Sequence, residues 1–266
     1  MNATYRAEWL DALDGLLPFA EELKSRTEAA YGSTEPATLV RSVLLIGVRG
    51  RRLMQGARLL AERKWDDLVA NLARALVDSA IEVDYMTVTS TYGKGAKRRT
   101  LAPEDKARLF ETQRFLLLDM KTKELTAEQK EHQATAIRLR EDLRVPVGHT
   151  WHGRTTRQLL DDLRAIASEE EKKGVDGLAQ AFRLSSFFEH SNANPNFYIE
   201  RRSKTAVVVL DSTTHSWPVQ TVALAGGGIL NRWGEVLGLS EEDRIGRLDT
   251  ALRMKGVDPM SFAADS

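Results

Sequence analysis

The segment Phe182-Arg-Leu-Ser-Ser-Phe-Phe-Glu-His190 is the most informative in the chain. On a helix, Arg183, Ser186 and His190 fall at i, i+3 and i+7, nearly on one face. At 1.5 Å per residue, two turns raise His190 only ~10 Å above Arg183. A guanidinium and an imidazole so placed can converge on one phosphate, with the Ser186 hydroxyl between them. Histidine exchanges its proton near neutral pH, and arginine is a permanent fork for phosphate oxygens. Together they suffice to move a proton and stabilise charge on a phosphodiester. The competing reading is structural: Ser186 and His190, at i and i+4, can hydrogen-bond each other, and His190 suits a helix C-terminus.

A second pair stands far upstream. Arg74 and Asp78 are one turn apart in an unusually apolar stretch, 66–90. Buried charges are costly unless paired and hydrogen-bonded, so this pair is either core glue or part of a site. Phosphate contacts, if any, come from the basic run in 41–64, with Arg49, Arg51 and Arg52 at its centre, and from Lys97, Arg98 and Arg99 in the loop after Tyr92. The alternative for that run is a solvated face balanced by acids elsewhere. His149 and His152, with Glu189, His190 or Asp78, are a weaker option for a metal site, because a His-x2-His pair needs ligands that the sequence does not place. Metal and cofactor are not expected.

The elements that must position these residues read as helix after helix. Leucines and Trp9 recur at helical spacing over 4–30, where Pro18 is expected to kink or split the helix. Further helices are predicted at 36–64, 66–90, 103–123, 126–144, 157–172, 175–190, 217–237 and 241–254. Thr126-Ala-Glu-Gln129 has capping-box spacing, Thr155 or Thr156 caps the next helix, and Gly174 separates the two that follow. Phe197-Tyr-Ile and Ala206-Val-Val-Val-Leu210 predict a small hairpin near 197–210. Gly226-Gly-Gly228 lacks the strand and the Lys-Ser/Thr of a phosphate loop, so it reads as room for close helix packing. The expected architecture is one all-α domain over 1–266, a multi-helix bundle in which 66–90 packs against 36–64 and 175–190. Arg74, Asp78, Ser186 and His190 then share one polar pocket.

Composition narrows the classes further. Thirty-eight basic residues equal thirty-eight acidic ones, which disfavours a globally basic nucleic-acid binder. The absence of cysteine excludes thiolate zinc sites, disulfides and a cysteine nucleophile, and favours a cytoplasmic setting. No apolar run approaches a membrane span, and the first residues lack the pattern of a signal peptide.

Several of these strings, in order, resemble the bacterial family called domain of unknown function 5677. They are Ala73-Arg-Ala-Leu-Val-Asp78 through Tyr85, Arg108-Leu-Phe110, Trp151-His-Gly-Arg-Thr-Thr-Arg-Gln-Leu-Leu160, and Phe182 through His190. The resemblance covers roughly 36–200, with a core of that kind followed by C-terminal helices at 217–254. Asp78 stands where the family usually has Glu, and Phe182 where it usually has Tyr. The helical layout with a late Arg…His is also similar to the HEPN (higher eukaryotes and prokaryotes nucleotide-binding) superfamily, many of whose members are metal-independent ribonucleases of toxin–antitoxin and antiphage systems. That likeness implies RNA cleavage or RNA binding, with His190 as general acid or base, Arg183 stabilising the phosphorane-like charge, and a second copy or a partner protein. Leu184 departs from the polar residue common after the Arg. The alternative is a non-catalytic interaction module of a multi-gene bacterial system.

Overall fold

The computed structural model describes residues 3–92, 99–117, 125–146, 150–190, 199–201, 207–209 and 216–253. The first three helices are α1 (Ala3–Tyr31), α2 (Thr38–Glu62) and α3 (Asp66–Thr87). They bury their apolar stripes as the periodicity predicts. On α2 the stripe runs Val43, Ile46, Gly47, Gly50, Met54, Ala57 and Ala61, one residue every three or four. Pro18 lies within α1 and does not split it. Its ring is on the exposed side, so the carbonyl it leaves without an N–H partner faces water. Arg6 clamps the start of α1 to the α2–α3 turn. Its guanidinium donates to both oxygens of the buried Asp66 at 3.1 and 2.8 Å and to the Ala61 carbonyl at 2.6 Å.

A short hairpin follows: β1 (Ser90–Tyr92) pairs antiparallel with β2 (Arg99–Leu101), Thr91 opposite Thr100. The sequence predicts only a loop after Tyr92. Then come α4 (Pro103–Leu116), α5 (Ala127–Asp142), α6 (Thr156–Ile166) and α7 (Glu169–His190). Thr126–Gln129 and Thr155–Gln158 form the capping boxes that open α5 and α6. The α6–α7 break falls at Ala167-Ser168, not at Gly174. Ser168 Oγ accepts from the Glu171 N–H while Glu171 returns a bond to the Ser168 N–H, and this reciprocal cap starts α7 early enough to absorb Gly174 as an interior residue. The second hairpin is where it was expected, β3 (Ile199–Arg201) against β4 (Val207–Val209). The chain closes with α8 (Ser216–Val236) and α9 (Glu241–Arg253).

The architecture is all-α with two small hairpins. Helix α8, buried on most of its circumference, packs against α1, α2 and α3. Helix α3 also packs on α6 and α7, α4 joins α2 to α5, and α9 lies on α1 and α8. Two glycines set the closest approach. A Cβ on Gly47 would lie 2.4 Å from Trp233 Cε3, and one on Gly226 would lie 2.3 Å from Met54 Sδ. Trp9, Trp233 and Trp151 are buried as core anchors, whereas Trp65 is exposed. Among the described residues no helix is long and apolar enough to cross a membrane.

Candidate functional site

Helix α3 carries a polar stripe along one face. Arg74, Asp78 and Glu82 follow at i, i+4 and i+8, a run of ~12 Å along the axis. At its upstream end Arg74 Nε donates to Asp78 Oδ2 at 2.9 Å, and a second guanidinium nitrogen donates to Ser186 Oγ on α7. The guanidinium also stacks on Phe182, 3.9 Å from the ring centre. Arg74 is therefore held from three sides, with 15 % of its side chain exposed, and Asp78 forms the rim at 39 %.

The downstream end is Glu82, 27 % exposed, whose Oε1 lies 3.9 Å from His152 Nε2. Burial, reinforced by the charge of Asp78 and opposed by Arg49, lifts the Glu82 carboxyl to about 7. His152 moves the other way, to about 4, because it is buried and stands near the cations Arg140 and Arg154. Its Nδ1 accepts the Arg154 backbone N–H at 3.1 Å. The neutral ring therefore carries its proton on Nε2, the nitrogen that faces Glu82. Trp151 packs edge-on against His152 with centroids 4.9 Å apart, and Tyr85 closes the other side. Trp151 Nε1 makes no well-formed hydrogen bond, yet it is near enough to Glu82 to pull slightly against the rise.

Two buried basic side chains, Lys106 and Arg140, and the partly exposed Arg154 hold this end in place. Lys106 of α4 donates to the carbonyls of Tyr85 at 2.7 Å and Val88 at 2.6 Å, closing the C-terminus of α3. Arg140 of α5 bonds Gln113 at 2.8 Å and the carbonyls of Pro146 and Thr150. Arg154 pairs with Asp162 of α6 and stacks on Tyr92. Burial lifts the Asp162 carboxyl and brings Lys106 down to about 7.

No protein-family model, curated protein or solved structure matches this chain. What the site can do therefore rests on its own side chains. A carboxyl that titrates near neutrality beside a neutral imidazole can exchange a proton with a bound group, and an anchored guanidinium eight residues away along the same helix face supplies fixed positive charge.

Of the residues singled out from sequence, Arg74, Asp78 and Ser186 come together as expected. Arg183 is exposed, three residues before Ser186 on α7. His190 is the last residue of α7, and its side chain lies outside the described residues, as do His149, Lys97 and Arg98. Arg49 and Arg52 are exposed, and Arg49 is near enough to Glu82 to bias it. Arg51 is paired with Glu21, Arg41 with Glu35 and Glu111, and Arg58 with Asp14 and Glu62. Much of the α2 basic run is thus an ion-paired face between helices. Arg99 is exposed and donates to the Asp142 carbonyl at the end of α5. Among the described residues no three His, Asp or Glu side chains are grouped as a metal site.

The sequence reading passed over Glu82, Lys106, Arg140, Arg154 and Asp162. Glu82 had a signal, since it repeats the Asp78 position one turn on in the same apolar helix. The other four had none, because the groups that surround each of them are set by the packing of α3, α4, α5 and α6 and not by any local helix period.

Proposed function

We propose that the chain is an RNA-cleaving or RNA-binding protein of HEPN-like, metal-independent type, with its site where α7 meets the Arg74–Asp78 turn of α3. The observation that supports this reading is the Arg74–Ser186 hydrogen bond, which seats the α7 face that carries Arg183 against the Arg74–Asp78 pair of α3. In this reading His190 takes the proton of a ribose 2′-hydroxyl as general base and returns it to the leaving oxygen as general acid. Arg183 stabilises the charge that develops on the phosphorane oxygens, and Arg74 holds the α3–α7 junction at a fixed spacing. The exposed Arg49 and Arg52 contact phosphates, so binding weakens as salt rises.

The test is cleavage of a single-stranded RNA in the presence of chelator by the wild type and by Arg183→Ala and His190→Ala. Loss of the general acid–base group lowers the rate by ~10²-fold or more, with melting temperatures unchanged for the exposed Arg183. A wild type that neither cuts RNA nor binds it in a salt-dependent way overturns the proposal.

A second reading, a non-catalytic protein-interaction module, is favoured by one observation. Leu59, Trp65 and Leu68, at the α2–α3 corner, are 64, 40 and 42 % exposed. Under that reading His190→Ala and Arg183→Ala change no RNA property, and Leu59→Asp weakens association with the partner.

A further inference from the structure

On the side of α3 away from the Arg74–Asp78–Glu82 face, helices α3, α6, α7 and α8 do not close on one another. They leave an open-mouthed cavity of about 690 Å³, in the size range of pockets that take metabolite- or drug-sized molecules. Its walls are apolar: Leu163 and Ile166 from α6, Val175 and Leu178 from α7, Leu224 from α8. One end is polar, with Asp84, Asn231 and Arg232.

Three glycines line this space, Gly174 and Gly177 on α7 and Gly228 on α8. A Cβ built on any of them meets nothing within 4 Å. The contrast with Gly226, two residues from Gly228, is informative: there a Cβ would collide with Met54. Glycine inside a helix costs ~1 kcal/mol relative to alanine, and at these three positions no packing contact requires it. Gly174 and Gly228 are exposed and Gly177 is half-buried, so together they leave the mouth of the cavity wide. Thr221 lines the same space with its hydroxyl buried and without a hydrogen-bond partner among the described residues, and a buried orphan of this kind costs ~1–3 kcal/mol unless something bonds to it.

The polar end does not select an anion. Arg232 Nε is bound to Asp84 Oδ1 at 2.7 Å and another of its nitrogens to Glu235 Oε2 at 2.8 Å. Two carboxylates thus already hold the guanidinium, and the remaining lining charges, Glu171 and Lys173, are of opposite sign. We infer that the α3–α6–α7–α8 cavity is a binding site for a neutral, largely aromatic or aliphatic small molecule carrying a single hydrogen-bonding group. The apolar walls take its body, and Thr221 or the Asp84–Arg232 end takes the polar group. The site is independent of the RNA reading and stands whether or not that reading holds.

The experiment is a fluorescence titration of the full chain with N-phenyl-1-naphthylamine, a neutral aromatic probe with one N–H. The wild type gives a saturable rise in emission and a melting temperature that increases with probe concentration, as ligand linkage requires. Gly228→Leu and Gly177→Leu, each projecting a side chain into the open space, weaken probe binding by about tenfold or more while their melting temperatures stay level or rise. No saturable binding by the wild type overturns the inference, as does equal binding by both variants. A fall in melting temperature in both variants also overturns it, because the space would then not be open to a side chain.

Discussion

Replacing Lys106 by methionine separates the electrostatic cost of a buried amine from its hydrogen bonds. Lys106 has none of its surface exposed (0 %), and burial brings its pKa from 10.5 to about 7. Its two acceptors, the Tyr85 and Val88 carbonyls, match the two N–H groups that a neutral amine retains. Below pH 7 both the folded and the unfolded chain hold the proton, and the fold bears the full cost of an enclosed cation. Between pH 7 and 10.5 the unfolded chain keeps the proton and the folded chain releases it, so stability climbs as pH rises. One pH unit is worth about 1.4 kcal/mol. Because the folded amine is only half deprotonated at pH 7, the climb from pH 7 to 9 comes to about 2 kcal/mol. Tyr85 and Tyr92, both pushed upward by burial from 10.0, titrate above that window. Lys106→Met should erase the climb and also leave two carbonyls unbonded, at ~1–3 kcal/mol each. Urea unfolding at pH 7, 8 and 9 measures both effects. A wild type that is flat over this range, or a variant that still gains 2 kcal/mol, refutes the assignment of that proton to Lys106.

Glu82 and His152 should oppose each other. The raised carboxyl contributes stability that is complete below pH 4.5 and lost as pH rises through 7, whereas the lowered imidazole contributes stability that is complete above 6.5 and lost as pH falls through 4. Between about pH 4.5 and 6.5 the two slopes cancel. Glu82→Gln unmasks a rise with pH, and His152→Gln a fall, each of about 2 kcal/mol across the window; parallel slopes in the two variants would contradict the scheme. Two glycine-to-alanine changes should differ in sign. Gly47→Ala drives a methyl onto Trp233 and lowers stability by ~1–3 kcal/mol. Gly174→Ala, in open space within α7, raises it by ~0.5–1 kcal/mol. Thermal melts of both variants decide, and a shared sign refutes the contact geometry.

How far the molecule was legible in the sequence depends on which forces are local. Helix existence and faces follow from side-chain period, which is written in the chain, and so does the meeting of Arg74, Asp78 and Ser186, because two amphipathic helices have few ways to bury their stripes. The α6–α7 boundary was misplaced because Gly174 is a visible breaker, whereas the Ser168–Glu171 cap that decides the boundary consists of two ordinary polar residues. The β1–β2 pair was missed because three-residue strands are too short to show alternation. Lys106 and Arg140 look like any surface cations in helices that read as polar. They are enclosed because the Tyr85 and Val88 carbonyls close over Lys106 and the Pro146 and Thr150 carbonyls over Arg140, and that closure is tertiary. The α2 arginines show the converse, since their charge was plain but their acidic partners on α1 and α4 lie 30 to 70 residues away.

Helix α8 has a consequence for how the protein is made. It is the wedge that fills the trough between α1, α2 and α3, inserting Ile229, Leu230 and Trp233, whose indole donates to Thr27 across 206 residues of chain. A ribosome has delivered more than two hundred residues before that wedge exists. Until then the trough is a long greasy slot facing water or a chaperone, and unfinished chains of this kind are prone to stick to one another. Premature termination anywhere ahead of residue 236 should therefore yield not a smaller working protein but a substrate for quality-control proteases.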